Sequence, residues 1–195
     1  MNPGSKPERR NAQSRRAILD ATNELIARNG YAHVTIEAIA KTADVGKTTI
    51  YRWWPSKGAL TLDALKDRIS DAIDFPDTGD IRADLCTQMT EVIRLLIGDV
   101  GTVFRGLIGE AQSTPAIGAA ILDALVEPPT RACQARLDHA IAAGQLRADI
   151  PTRTMVEMIY GAMYYRLLLG TDTLHPQDVP DLIDNTLTGL RPRAT

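Results

Sequence analysis

The stretch from Thr35 to Leu60, TIEAIAKTADVGKTTIYRWWPSKGAL, constrains the fold more than any other part of the chain. Thr35 can cap a short helix with Glu37 in its first turn, where the helix dipole favours an acid. Ile36, Ile39 and Ala40 supply an apolar face at helical spacing. Ala43 to Gly46 reads as a turn, and a second short helix runs from about Gly46 to Trp53. Pro55 then breaks the pattern. Two short helices joined by a tight turn outline a helix-turn-helix, which lays its second helix in the major groove of DNA.

Within that second helix, Ile50 and Trp54 face one side. With Ile36, Ile39, Ala40, Ala43 and Val45 they can close a small core on the preceding helix. Lys47, Thr48, Thr49, Tyr51, Arg52 and Trp53 remain for solvent or DNA. Arg52 can pair bidentately with a guanine edge, and Thr48 or Thr49 can meet a thymine methyl or a base acceptor. Lys47, Tyr51 and Lys57 suit phosphates, as does Thr35 at a helix N-terminus. An ordinary surface helix would explain the charges. It would not explain why both tryptophans of the chain, Trp53 and Trp54, sit here.

The rest of the chain predicts an all-α fold of about nine helices. Ser14 can cap a first helix to Asn29, with Gly30 as its stop. Residues 1–13, with Lys6, Arg9 and Arg10, read as a flexible basic arm. The helix-turn-helix domain spans 14–58, with its motif at about 35–54, and a connecting helix follows at 59–75. The loop Pro76–Asp80 marks the domain boundary before a body of 80–195. Body helices are expected at about 81–98, 102–112, 115–126, onward to 143 past a break or kink at Pro128 and Pro129, 152–169 and 177–190. Residues 1–58 carry a net charge of +5 and residues 59–195 a net of −7, within a chain total of −2. A basic head on an acidic body suits a head that meets a polyanion.

Several function classes fall away. Gly46-Lys47-Thr48 resembles the end of a phosphate-binding loop, but that motif requires a glycine where this chain has Lys41, and a strand before it. Cys86 and Cys133 have no metal spacing, and His33, His139 and His175 show none either. No metal, no cofactor and no catalytic set is expected, so an enzyme is not indicated. No apolar run approaches a membrane span and no secretory segment precedes the head. The chain reads as cytoplasmic, with reduced thiols.

These residues resemble the tetracycline-repressor (TetR) family of bacterial regulators. The carriers are Thr35-Ile36, Ile39-Ala40, Ala43-Asp44-Val45-Gly46, Ile50-Tyr51, Trp53-Trp54 and Ser56-Lys57, and the likeness is strong over residues 14–65. Two positions depart from the family pattern. Asp44 stands where the turn glycine is usual, in a backbone position expected to be left-handed, which Asp tolerates better than most residues. Gly46 stands where a capping serine is usual and offers no hydroxyl to a phosphate.

The resemblance implies that Tyr51 and Lys57 contact the DNA backbone. It implies a dimer through the last two long helices, with Tyr160, Gly161, Tyr164, Leu168, Leu182 and Leu187 as candidate interface residues. It further implies a small-molecule effector inside the body. Candidate pocket residues are Met89, Ile93, Phe104, Leu107, Ile108, Gln112, Leu125, Met158 and Met163. The expected function is a sequence-specific transcriptional regulator: a dimeric repressor released from a palindromic operator by its effector. A helical protein-interaction adaptor is the alternative, and it would need no basic head.

Overall fold

The computed structural model describes residues 6–69 and 75–191, with side chains from Asn11 onward and without that of Asp67. The described chain is all-α: α1 (Lys6–Asn29), α2 (Ile36–Thr42), α3 (Lys47–Trp53), α4 (Lys57–Ile69), α5 (Ile81–Leu96), α6 (Asp99–Ala111), α7 (Pro115–Ile121), α8 (Glu127–Ala142), α9 (Thr152–Leu169) and α10 (Val179–Leu190). A π-helical turn, Leu122–Val126, joins α7 to α8, so 115–142 is one continuous helical run and the total is nine if it is counted once. Of the break or kink the sequence suggests at Pro128 and Pro129, the run shows no break. A proline ring clashes with the carbonyl four residues back and offers it no N–H. The run is instead widened immediately before them, at the π-helical turn Leu122–Val126, a local adjustment that lets a helix carry prolines.

The helices group into two compact units, residues 1–68 with 102–121, and 69–101 with 122–195. In this grouping residues 102–121, which the sequence reading assigns to the body, fall with residues 1–68. Most of α6 and all of α7 belong with the helix-turn-helix, because they pack on Tyr31 and on the start of α4. In this unit Ile18, Leu19 and Ile26 of α1, with Ile39, Ile50, Leu60 and Leu65, are all at 2% exposure or less. Helix α1 begins at Lys6, eight residues before the Ser14 start, so 6–13 is helical and not an arm. Pro7 suits a first turn, and Glu8, Arg9, Arg10, Ala12 and Gln13 are good helix formers. Residues 1–5 and the side chains of Lys6, Arg9 and Arg10 lie outside the described residues.

The second unit packs α5, α8, α9 and α10 around Leu85, Met89, Ile93, Leu137, Met155, Val179 and Ile183, none of them exposed. A buried ion pair crosses it, with Arg136 Nε donating to Asp84 Oδ2 at 2.7 Å. Asp84 also accepts from the Thr78 hydroxyl at 2.7 Å. Such a pair costs desolvation but fixes which faces of α5 and α8 meet. At the surface Arg82 grips Asp184 with two nitrogens, at 2.6 and 2.7 Å, tying α5 to α10.

Candidate nucleic-acid interface

The turn between α2 and α3 determines where the outward face of α3 points. Asp44 has φ 52°, the left-handed conformation expected of it. Val45 N donates to Ala40 O at 2.9 Å and Asp44 N to Lys41 O at 3.3 Å, the two bonds of a Schellman ending. Thr35 caps α2, its hydroxyl oxygen accepting from Ala38 N at 3.2 Å. Gly46 caps α3 with backbone only. Ile50 and Trp54 turn inward, at 0% and 5% exposure.

The opposite face of α3 is open. Lys47, Thr48, Tyr51 and Arg52 are exposed, while Thr49 and Trp53 are half-buried. Lys47 Nζ reaches Glu37 Oε1 across the turn at 3.0 Å. The backbone hydrogen bond at its own residue, and then Lys47, hold the Glu37 carboxyl below its ordinary range. The Arg52 guanidinium lies over the Trp53 ring, 5.1 Å from its centroid. Trp53 in turn meets Trp54 edge-on, centroids 5.5 Å apart and planes at 85°.

Two anchors were invisible to the sequence reading. Trp54 Nε1 donates to Asp63 Oδ2 at 2.9 Å, and Arg15 of α1 holds the same oxygen at 2.5 Å. The end of α3 is thereby tied to α1 and α4. The second anchor is Tyr31. Lys57 Nζ donates to the Tyr31 carbonyl at 2.9 Å and sits 4.1 Å from the centroid of its ring. The Tyr31 hydroxyl donates to Glu110 of α6. Burial, then the hydrogen bond and charge of Glu110, push the Tyr31 phenol well above its ordinary value. Lys57, a phosphate candidate by resemblance, is thus half-buried and engaged inside its own unit.

The body candidates are placed as follows. Met89, Ile93, Leu125 and Met163 are buried in the second unit, and Phe104 and Leu107 are buried in the first. Ile108 is half-buried, and Gln112 is exposed with Nε2 bonded to Ile108 O at 3.3 Å. Met158 is 44% exposed, so its side chain does not lie in the interior. A body cleft of about 460 Å³ is lined by Asp80, Ile81, Arg82, Gln145, Leu146, Leu187 and Arg191, with none of the nine pocket candidates on its walls.

Among the interface candidates, Leu187 is buried, Tyr160, Tyr164 and Leu182 are half-buried, and Gly161 and Leu168 are exposed. The Tyr160 hydroxyl donates to Gln88, which turns it toward α5. The open apolar line of α9 comprises Met158, Gly161, Ala162, Tyr165, Leu168 and Leu169. Among the described residues there is no cluster of three or more metal-ligating side chains, and no helix long and apolar enough to cross a membrane.

A helical head of this form, with a short cationic helix held outward on a packed support, defines a helix-turn-helix DNA-binding protein. Residues 18–64 match the family of bacterial regulatory proteins described as the tetR family, and residues 75–186 match the tetracyclin repressor-like C-terminal domain. The chain is 32% identical over 182 residues to the uncharacterized regulator YdeS of Bacillus subtilis, covering 93% of this chain and 92% of that one. It is 29% identical over 182 residues to the DNA-binding transcriptional repressor TetR of Mycobacteroides abscessus, covering 91% and 94%. The crystal structure of the TetR family transcription regulator SCO0332 superposes with a TM-score of 0.74 at 36% identity, over 92% of this chain and 100% of that one. The chain belongs to the TetR family of DNA-binding transcriptional regulators.

Proposed function

We propose that the protein is a dimeric repressor that reads a palindromic operator with α3 and releases it when a small apolar or amphipathic effector binds the body. The observation that carries DNA reading is the outward face of α3, where Lys47, Thr48, Tyr51 and Arg52 stand exposed on a rigid support. Arg52 reads a guanine edge, with Thr48 and Thr49 beside it. Lys47, Tyr51, Lys57 and Thr35 meet phosphates. The likeness to a relative named as a repressor supports repression over activation. Dimerisation is supported by the apolar line of α9, where Tyr165 is 58% and Leu169 65% exposed. Two such heads bind half-sites about 34–36 Å apart.

Selection from a random duplex pool tests this reading, and a palindrome should emerge. With about six to eight phosphates neutralised per dimer, affinity should fall roughly 10³–10⁴-fold between 50 and 200 mM salt. A flat salt response, or no enriched sequence, would favour a helical adaptor. Lys57→Ala should weaken binding to every duplex and flatten the salt slope. Arg52→Ala should relax preference at one base position, by about 1–3 kcal/mol. Tyr165→Glu should give a monomer in sedimentation that no longer prefers the palindrome over a half-site.

A further inference from the structure

Arg52 is exposed at the end of a short helix. A guanidinium on such a stem samples many rotamers, and ordering it on a base edge costs conformational entropy. Here the guanidinium already lies against an aromatic ring. Its carbon lies 5.1 Å from the Trp53 ring centroid. Trp53 rests edge-on against Trp54 at 5.5 Å. Trp54 is 5% exposed and bonded to Asp63 at 2.9 Å, and Arg15 holds Asp63 from α1. A continuous chain of contacts runs from α1 and α4 outward to the guanidinium.

We propose that Trp53 is a positioning residue for base reading: its indole face holds the Arg52 guanidinium so that the in-plane N–H donors remain turned outward for a guanine. This rests on the reading of α3 as the base-contacting helix. A cation–π contact engages the face of the guanidinium and leaves its edge donors free. Bidentate pairing with guanine O6 and N7 uses those edge donors. The half-buried position of Trp53 suits this role, since a core tryptophan would be covered and a backbone-contacting one would not need a cation on its face. A lysine at position 52 keeps the charge and can lie over a ring as Lys57 does over Tyr31, but it has no planar fork whose edge is aimed when its face is held.

The test is selection from a random duplex pool with the full-length wild type, Trp53→Phe, Trp53→Leu, Trp53→Ala, Arg52→Ala and Arg52→Lys. A melting curve accompanies each variant. Wild type and Trp53→Phe should share a guanine preference at one position of each half-site. Trp53→Leu keeps apolar bulk without a π face and covers the case in which Trp53→Ala fails to fold. It should flatten that preference roughly two- to thirtyfold, the span of one cation–π contact. Its affinity for unrelated duplex and its salt slope should stay unchanged. Both Arg52 variants should flatten the same position, and Trp53→Leu combined with Arg52→Ala should lose nothing further there. The proposal is overturned if Trp53→Leu keeps the wild-type preference, if it weakens all duplexes equally, or if it flattens a different position from Arg52→Ala. A wild type that enriches no sequence sinks the base-reading role of α3 itself, and this inference with it. An enriched palindrome untouched by the Trp53 variants sinks the inference alone.

Discussion

Two glycines of α6 make a matched pair that tests how tightly this helix packs on the DNA-binding head. A Cβ at Gly109 would meet nothing within 4 Å. A Cβ at Gly106 would run into Tyr31, reaching Cδ1 at 3.2 Å and both Cβ and Cγ closer than any real Cβ contact. Alanine is favoured over glycine inside a helix by about 1 kcal/mol, so Gly109→Ala should stabilise by up to that amount. Gly106→Ala has the same propensity gain, but the overlap falls on ring and stem atoms that cannot swing away. Overpacking of this kind costs about 1–3 kcal/mol. The displaced Tyr31 also loses its bond to Glu110, which as a bond to a charged group contributes about 1.5–3 kcal/mol. The expected result for Gly106→Ala is a net loss of about 1.5–5 kcal/mol, or roughly 3–20 °C in melting temperature for a chain of this size. Both tryptophans, Trp53 and Trp54, lie in the helix-turn-helix, so intrinsic fluorescence reports unfolding of that unit directly. Equal melting of the two variants would refute the packing of α6 on Tyr31.

Other predictions follow from single contacts. Glu37→Gln removes the partner of Lys47, 3.0 Å away, and a negative charge from the DNA-facing surface. It should tighten binding to operator and to unrelated duplex alike, in a filter or anisotropy titration. Asp84→Asn removes the buried partner of Arg136, 4% exposed, and leaves it only the half-exposed Asp77 at 3.3 Å; it should cost up to about 3–5 kcal/mol in urea unfolding. Burial pushes the Cys133 thiol up to about 12 from an ordinary value of 9.0. A raised value means full stability below pH 9 and progressive loss as the pH climbs toward 12, because the unfolded chain releases its proton first. Cys133→Ala should therefore show a shallower decline between pH 8 and 11 than wild type. Native Cys133 should resist alkylation at pH 8 until the protein is unfolded.

Helix ends were legible wherever a residue offered a physical reason to stop. The 152–169 span follows Pro151 and ends at Gly170, which has φ 64°, and the observed α9 has those bounds. The α5–α6 junction was blurred because only a short break near Gly98 separates two strong helices. The start of α1 was missed because basic residues were weighed as charge and not as helix formers. At the interface, the outward set on α3 was readable from spacing alone, since Ile50 and Trp54 define the inward side. Asp63 and Arg15 were not readable: they are 48 residues apart, and nothing local links them. The same holds for Tyr31 and Glu110, 79 apart. On α9 the sequence is apolar nearly all round, so periodicity cannot select a face. Spacing alone therefore does not separate the exposed Met158 and Tyr165 from the buried positions of this helix.

Lys57 shows why a resemblance at one residue needs its surroundings. The family likeness assigns it to a phosphate, yet its ammonium is already bonded to the Tyr31 carbonyl at 2.9 Å and lies over that ring. A move to DNA exchanges a charge-assisted hydrogen bond and a cation–π contact of about 0.5–2 kcal/mol for a phosphate. Only the difference reaches the binding constant. Lys47 gives up less, because its partner Glu37 is exposed, and exposed pairs contribute little. Loss of Lys57 also frees Tyr31, which carries Glu110 and hence α6. Its removal therefore acts on the fold of the head and on its grip together. Salt separates the two effects. A head that folds less well binds more weakly at every ionic strength by the same factor, whereas a lost phosphate contact lowers the slope of log K against log salt by nearly one. An unchanged slope in Lys57→Ala would assign this lysine to the interior of the head, and a reduced one to the DNA backbone.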